Sequence, residues 1–244
     1  MKKLISIIII GAVIFSTIAF SGCDNNKKPA SSNLSATESV KKSDKYSSAQ
    51  LQTYLKTFTE GDNPIYGTWK IKGVNVVSYI FRNDGFAQMA MGSEADFAKL
   101  ALDTKNKTLG AAFVLGINGN YNYTLSKDNK TLYLKSDSGD FTLVQQKDYN
   151  LIPKPKKNPK IDKNILGWWK SSGKQIYFFS SDGIMYSNII TMETCYTYNA
   201  EKGKIKAVYD YAGDVKVDIK YSYKNGKLII DGNKYKKYTP KELA

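Results

Sequence analysis

The sequence predicts a mainly β protein: two tandem antiparallel β-meander domains, each a small barrel or sandwich, with a short N-terminal helix and one inserted short helix. Three observations support this fold class. Apolar and polar residues alternate over 215–224, which is typical of a strand with one buried face. Asp-Gly pairs at 84–85 and 182–183 follow apolar runs, as tight hairpins require. The segment 65–70 recurs 100 residues later, so the chain contains an internal repeat.

The N-terminus has the order of a secretory signal peptide. Two lysines precede an apolar run from Leu4 to Phe20, and Ser21 and Gly22 then lead to Cys23. This ending resembles the lipobox of bacterial lipoproteins. The resemblance implies that residues 1–22 are removed and that Cys23 carries a lipid. An uncleaved anchor or a secreted form is the alternative, although a bilayer span needs about 20 apolar residues.

Residues 23–47 then consist mostly of Asn, Ser, Lys and Ala, and we expect a disordered tether because such a segment cannot bury a core. The next segment, 48–61, is predicted to be a helix. Its apolar residues recur at i, i+3, i+4 and i+7, a serine at 47 or 48 can cap its start, and Gly61 can end it. The apolar stripe consists of Leu51, Tyr54, Leu55 and Phe58.

The repeat divides the remainder into two predicted domains. Ile65-Tyr66-Gly67-Thr68-Trp69-Lys70 is echoed by Ile165-Leu166-Gly167-Trp168-Trp169-Lys170, and each copy continues into an apolar strand and an Asp-Gly turn. Three prolines in the intervening segment 149–164 predict a semi-rigid linker rich in Pro and Lys. The domains are therefore expected over 48–148, with the leading helix, and over 165–244.

The Gly-x-Trp pattern at the start of each copy is the basis of a family resemblance. A Gly-x-Trp first strand, a preceding short helix and a following meander resemble the lipocalin, or calycin, barrels, and in particular the lipocalin-like domains of Gram-positive surface lipoproteins. The resemblance implies that the tryptophan packs across the closed end of the barrel, as a structural signature. The matching residues are Gly67, Trp69, Gly167 and Trp169.

Residues 167–185 also resemble one choline-binding or cell-wall-binding repeat, which combines Gly-Trp, an aromatic pair and a later Gly and Met. That resemblance would make the segment a wall-binding module.

A separate prediction concerns residues 93–102, which are expected to form the inserted helix. Ser93 and Asp96 resemble a capping box there. Such a helix could cover a barrel mouth as a lid, or it could be a connection that packs sideways.

The cysteine and histidine counts limit the chemistry that this chain can perform. Histidine is absent, which excludes Ser-His-Asp and Cys-His catalysis and every histidine-containing zinc site. With Cys23 assigned to lipid, Cys195 has no partner for an intrachain disulfide. We therefore expect no enzyme activity, no cofactor and no metal.

The formal charge is +14, and the basic excess lies mainly after residue 148. Residues 66–148 hold 10 basic and 8 acidic side chains, 149–165 hold 5 and 1, and 166–244 hold 13 and 8. A basic protein at a membrane could be drawn to anionic lipid or wall polymers. A lysine-rich solvated surface without a partner is the alternative. Nucleic acid is not expected as a partner, because the signal-peptide pattern predicts export and the chain lacks a dense Lys/Arg stripe.

Six tyrosines of the second copy form three i, i+2 pairs, so each pair shares one face of its strand. Tyrosine combines apolar area with a hydroxyl, which suits contact with sugars, wall polymers or proteins. Cross-strand packing inside the barrel is the alternative. These candidate contact residues are Tyr196, Tyr198, Tyr209, Tyr211, Tyr221 and Tyr223.

Together these observations predict a non-enzymatic binding module on the extracytoplasmic side of the cell membrane, anchored through Cys23. Its partner would be a small apolar ligand, an anionic wall polymer or an envelope protein. A structural or regulatory envelope protein without a ligand cavity, such as an inhibitor or sensor, is the alternative. An interior cavity of roughly 300 Å³ or more would favour a small ligand, whereas a filled core beneath an exposed Tyr/Lys surface would favour docking.

Overall fold

The computed structural model describes residues 45–113, 116–146, 151–189, 192–211 and 213–243. The predicted signal peptide, the predicted lipid-attachment residue Cys23 and nearly all of the predicted tether lie outside these residues. The described chain contains one α-helix, seventeen β-strands and two short 3-10 helices, and every one of them belongs to a single compact unit. The helices are α1 (Ser48–Thr57) and the 3-10 turns Lys163–Ile165 and Lys241–Leu243.

The strands divide into two successive antiparallel meanders. The first meander comprises β1 (Gly67–Ile71), β2 (Ser78–Phe81), β3 (Phe86–Met91), β4 (Glu94–Lys99), β5 (Ala101–Asp103), β6 (Thr108–Ala112), β7 (Asn118–Leu125), β8 (Thr131–Ser136) and β9 (Gly139–Gln146). The second meander comprises β10 (Gly167–Ser171), β11 (Ile176–Phe179), β12 (Ile184–Ile189), β13 (Met192–Glu201), β14 (Lys204–Asp210), β15 (Asp214–Lys224), β16 (Lys227–Ile230) and β17 (Asn233–Lys237).

Each meander closes on itself as an eight-stranded barrel. In the first, β4 and β5 act as one bent strand, and β9 returns to pair with β1. In the second, β17 returns to pair with β10. Closure removes the open edges that an antiparallel sheet would otherwise expose. The prediction of a mainly β chain with two antiparallel meanders and an N-terminal helix is confirmed.

The predicted inserted helix is wrong. Residues 93–102 contain β4 and the start of β5 instead. The helical lid suggested for this segment is therefore not formed. The short helical periodicity is overridden by pairing on both edges of β4, with β3 on one side and β13 of the second barrel on the other. The strand also buries residues on both faces, since Ala98 joins the first barrel core and Ala95 the core between the barrels.

The repeated segment has the same register and the same packing in both barrels. Trp69 pairs with Tyr79 across β1 and β2, and Trp169 pairs with Tyr177 across β10 and β11. Both indoles are fully buried and donate to the carbonyl four residues earlier, at 2.8 Å in the first barrel and 2.6 Å in the second. The Gly-x-Trp pattern therefore marks equivalent structural positions in the two copies.

The two predicted Asp-Gly turns form, and asparagine occupies the corresponding kind of position in two further hairpin turns. Gly85 and Gly183 have φ of +85° and +84° in the β2–β3 and β11–β12 turns, and Asn129 and Asn225 lie in the same half of backbone space in the β7–β8 and β15–β16 turns. These positions need φ > 0, which glycine and asparagine tolerate best. Each of these turns therefore favours, through its local backbone conformation, antiparallel pairing of the two strands that it joins.

Helix α1 packs where the two barrels meet. The predicted stripe faces inward, with Leu51, Tyr54 and Phe58 buried, but the helix ends at Thr57 rather than at Gly61. Its N-terminus is not capped by the Ser47 side chain. The carboxylate of Asp182, in the β11–β12 turn, accepts from the Ser48 backbone N–H at 3.2 Å and from the Ser48 hydroxyl. An acidic side chain is favourable there because the first helical N–H groups lack partners.

Candidate binding surface

The interior of each barrel is occupied by large side chains. Two separate clusters of buried residues lie on the inward positions of the two sets of strands. Tyrosine hydroxyls within the second cluster are hydrogen-bonded, as in the bond from Tyr198 to the Ser180 carbonyl at 2.8 Å. The fully buried aromatic members are Trp69, Tyr79 and Phe81 in the first barrel, and Trp169, Phe179, Tyr198 and Tyr235 in the second.

The six candidate tyrosines do not assemble into one exposed patch. Tyr198 and Tyr221 are buried in the second core, and Tyr196 is half-buried against it. Tyr209 stacks edge-on against Tyr196, with ring centroids 5.2 Å apart. Among the six, only Tyr211 and Tyr223 are exposed. The i, i+2 pairing identified residues that share a strand face, and that face mostly points into the barrel.

The segment 167–185, which resembles a wall-binding repeat, forms β10, β11 and the start of β12. Its aromatic residues are buried on both sides of the sheet. Trp169 lies in the barrel core. Trp168 points outward, with its ring centroid 4.7 Å from that of Tyr54 in α1, and its indole N–H donates to the Gln50 side-chain oxygen at 3.1 Å. These rings are therefore committed to packing rather than presented to a ligand.

The junction of the two barrels contains a buried ion pair. Arg82, the only arginine of the chain, contacts Glu193 of the second barrel at 3.2 Å and Asp84 at 2.6 Å. Gln88 and Tyr186 donate to the same Glu193 carboxylate at 2.5 and 2.8 Å. Burial by itself would lower the pKa of Arg82, but the Glu193 and Asp84 carboxylates raise it above its ordinary value. The cluster is a satisfied structural network between the barrels.

A cleft of about 570 Å³, here called the helix cleft, lies between α1 and the β1–β9 side of the first barrel. Its floor includes the Arg82–Glu193 pair, and at its rim Lys56 pairs with Glu60 at 3.1 Å. Its charges are therefore neutralised by one another. The other lining residues are Gln52, Leu55, Thr59, Tyr66, Gly67, Thr68, Ile80, Gln88, Gln145, Gln146 and Leu151.

A second cleft, of about 410 Å³, has no acidic side chain among its lining residues. This β17 cleft lies on the outer face of the second barrel, where β17 closes against β10. Five of its eight lining residues are lysines, which concentrates positive charge in one concavity. The lining residues are Lys170, Ser171, Ser172, Lys227, Lys234, Lys236, Lys237 and Tyr238.

The lysines of the β17 cleft are held close together by the sheet. Lys170 and Lys236 are directly opposite each other across the β10–β17 pairing. Like charges at such positions are destabilising. The Lys170 ammonium lies 4.7 Å from the centroid of the Tyr238 ring, and that of Lys237 lies 4.1 Å from the centroid of Trp169. Burial, and then the nearby Lys45, lower the pKa of Lys237. An anion bound here would relieve this repulsion.

A third cleft, of about 650 Å³, lies between the linker and the β13–β14 hairpin and is here called the linker cleft. The linker is docked on the barrel, since the Ala200 N–H donates to the Lys160 carbonyl at 2.7 Å and the Lys160 N–H to the Asn199 side chain at 2.8 Å. The lining residues are Lys156, Lys157, Asn158, Lys160, Asn199, Glu201, Lys202, Lys204 and Lys206.

These lysines were not predicted individually. The available signal was the excess of basic residues after residue 148, together with lysines at alternate strand positions. The proximity of Lys170 to Lys236 depends on closure between strands far apart in the chain, which no local pattern reveals.

Comparisons with protein-family profiles, with curated proteins and with solved structures found no match. Within the described ranges, no helix is long and apolar enough to cross a membrane. In the same ranges, no three acidic or cysteine side chains are placed to hold a metal ion. The observations therefore define a class by structure alone: paired closed β-barrels whose second member carries lysine-lined outer clefts.

Proposed function

We propose that this protein is a lipid-anchored, non-enzymatic module of the cell envelope that binds an anionic wall polymer through the β17 cleft. The observation that carries the proposal is the group of five lysines in one cleft without an acidic partner among the lining residues. Lysine ammoniums bind phosphate and other anions as point charges. Binding would release counterions from a polyanion, so the affinity should fall steeply with salt.

Of the three kinds of partner that the sequence suggests, the filled cores favour docking at an outer surface over capture of a small apolar ligand. Fully buried Trp, Tyr and Phe side chains occupy the inward positions of both barrels. The three clefts described above lie outside them. Of these, only the two lysine-lined clefts carry a strong excess of one charge.

The membrane localisation in this proposal rests on the resemblance of the segment ending at Cys23 to a lipobox. Replacing Cys23 by Ala should release the protein from the membrane fraction of the cells that express it, because the thiol is the attachment point. Continued retention in the membrane fraction would indicate an uncleaved anchor instead.

Binding can be tested with the full-length protein in a neutral detergent and linear polyphosphate as the anionic probe. Calorimetry should detect binding that weakens as salt increases. The triple variant Lys170→Gln/Lys234→Gln/Lys236→Gln should lose about 10- to 100-fold in affinity for the β17 cleft, because it removes three ammonium contacts. Lys237 is left unchanged because it also covers Trp169.

The matched control removes three exposed lysines of the first barrel. The variant Lys99→Gln/Lys105→Gln/Lys135→Gln has the same net charge as the cleft variant but leaves the second barrel intact. It should bind with nearly the native affinity. Equal losses in the two variants would show that net charge, not the cleft, attracts the probe, and would overturn the proposal.

A further inference from the structure

The second barrel carries positive charge in two separate places. The linker cleft contains six lysines and one carboxylate, Glu201, and that carboxylate already pairs with Lys160 at 3.1 Å. Lys204 is opposite Lys220 across β14 and β15, so like charges also meet on this side of the barrel. The linker cleft therefore repeats the electrostatic character of the β17 cleft with entirely different residues.

The strand order places the two clefts on opposite sides of the barrel. The β17 cleft lies over β16, β17 and β10, whereas the linker cleft lies over β13 and β14. In the closed ring, β14 is three strands from β17 in one direction, and β13 is four strands from it in the other. Most of the cleft lysines take outward positions, since Lys234 and Lys236 flank the buried Tyr235, and Lys204 and Lys206 flank the buried Ile205. Lys237 is the exception, because it shares the face of its cross-strand partner Trp169.

We infer that the protein binds two segments of anionic polymer at once, one in each cleft, and so bridges them. This inference rests on the proposed function. A flat membrane can contact only one side of a barrel, whereas flexible polymer chains can reach both sides. Two sites on one rigid body also raise the apparent affinity for a long chain without any new contact, because the second binding event is intramolecular.

The linker has a structural role in this second site. Its lysines reach the barrel surface because the backbone at Lys160 is hydrogen-bonded to Asn199 and Ala200. The Pro-rich segment thus contributes half of a binding cleft. For this reason the test below leaves Lys160 and Asn199 unchanged and alters only lysines that point into the cleft.

The number of sites can be measured by calorimetry with the full-length protein in neutral detergent and a short linear polyphosphate. The native protein should bind two probes. The β17-cleft variant Lys170→Gln/Lys234→Gln/Lys236→Gln and the linker-cleft variant Lys156→Gln/Lys157→Gln/Lys204→Gln should each bind one, and the combined variant none. The first-barrel variant Lys99→Gln/Lys105→Gln/Lys135→Gln should still bind two.

The outcomes separate this inference from the proposed function. A single probe that is lost in the β17-cleft variant and kept in the linker-cleft variant would overturn bivalency and leave the proposed function standing. Binding that neither cleft variant changes would overturn both. Anionic phospholipid, added as mixed micelles in the same detergent, is the competing probe: if it displaces polyphosphate at equal charge concentration, a lipid surface is the partner and the bridging inference fails.

Discussion

The two barrels share their interiors and differ on their outer faces. Trp69 and Trp169 occupy equivalent inward positions, with the same cross-strand partner type and the same hydrogen bond to the preceding loop. The adjacent outward positions differ, since Thr68 lines the open helix cleft and Trp168 packs against the helix. Closure and core packing constrain the inside of each copy, whereas the outward positions of the two copies carry different side chains.

The junction shows the same asymmetry. The second barrel contributes three aromatic rings to this junction, those of Trp168, Phe178 and Tyr186. The first barrel contributes the aliphatic side chains of Ile80, Ala90 and Ala95. Trp168 and Tyr186 pack against Tyr54 of α1. Charge follows a similar division, with a near balance over 66–148 and a basic excess over 166–244.

The largest expected effect comes from replacing the two equivalent tryptophans, which tests whether the two barrel interiors depend equally on this position. Trp69→Ala and Trp169→Ala should each lower the free energy of unfolding by about 3–5 kcal/mol, because each leaves a cavity and an unpaired carbonyl. Urea unfolding followed by far-UV circular dichroism measures this. Lys135→Ala, at an exposed position of β8, is the control and should change stability by less than about 0.5 kcal/mol.

A clear difference between the two tryptophan variants would mean that only one copy depends on this position for its stability. The milder variants Trp69→Phe and Trp169→Phe keep most of the apolar volume, so they allow the same comparison if an alanine variant fails to fold.

Alanine substitution of the two equivalent glycines, Gly67 and Gly167, should destabilise the two barrels by different amounts. Gly67 and Gly167 have φ of +129° and +93°, so alanine is strained at both. A methyl group at Gly167 would lie 2.7 Å from the Tyr46 ring, whereas at Gly67 the nearest atom is 4.0 Å away. Gly67→Ala should cost about 1 kcal/mol and Gly167→Ala about 2–3 kcal/mol in unfolding free energy. In a Tyr46→Ala background the two costs should become equal; a persistent gap would refute the steric explanation.

Alkaline pH should reveal a smaller difference between Tyr123 and Tyr221, which occupy equivalent positions on β7 and β15. Burial and then a hydrogen bond of 2.8 Å to Asp162 raise the pKa of Tyr221 to about 12. Burial followed by Asp103 raises the pKa of Tyr123. A raised tyrosine pKa means that the unfolded chain loses its proton first. The stabilisation is therefore complete below pH about 10 and is lost as pH rises toward 12.

Urea midpoints measured across that pH range should decrease for the native protein. Tyr221→Phe should flatten the decrease more than Tyr123→Phe does, because only Tyr221 donates to a carboxylate. Identical pH profiles for the two variants would contradict this assignment.

Features with local causes were predictable from the sequence. The amphipathic stripe identified α1, Asp-Gly identified the β2–β3 and β11–β12 turns, and the repeated Gly-x-Trp identified the first strand of each barrel. The prediction for residues 93–102 failed because β4 is stabilised by a neighbour from the other barrel. The tyrosine prediction identified shared faces but not the side of the sheet that each face occupies.

By itself, the sequence determined the β class, the twofold repeat, the leading helix and the basic second half, because turn conformation, side-chain alternation and charge are properties of short segments. Tertiary structure decided the closure of each barrel, the Asp182 cap of α1, the buried Arg82–Glu193 pair and the two lysine-lined clefts. These features join residues distant in the chain, and their energies come from burial and charge proximity, which exist only once the strands have closed.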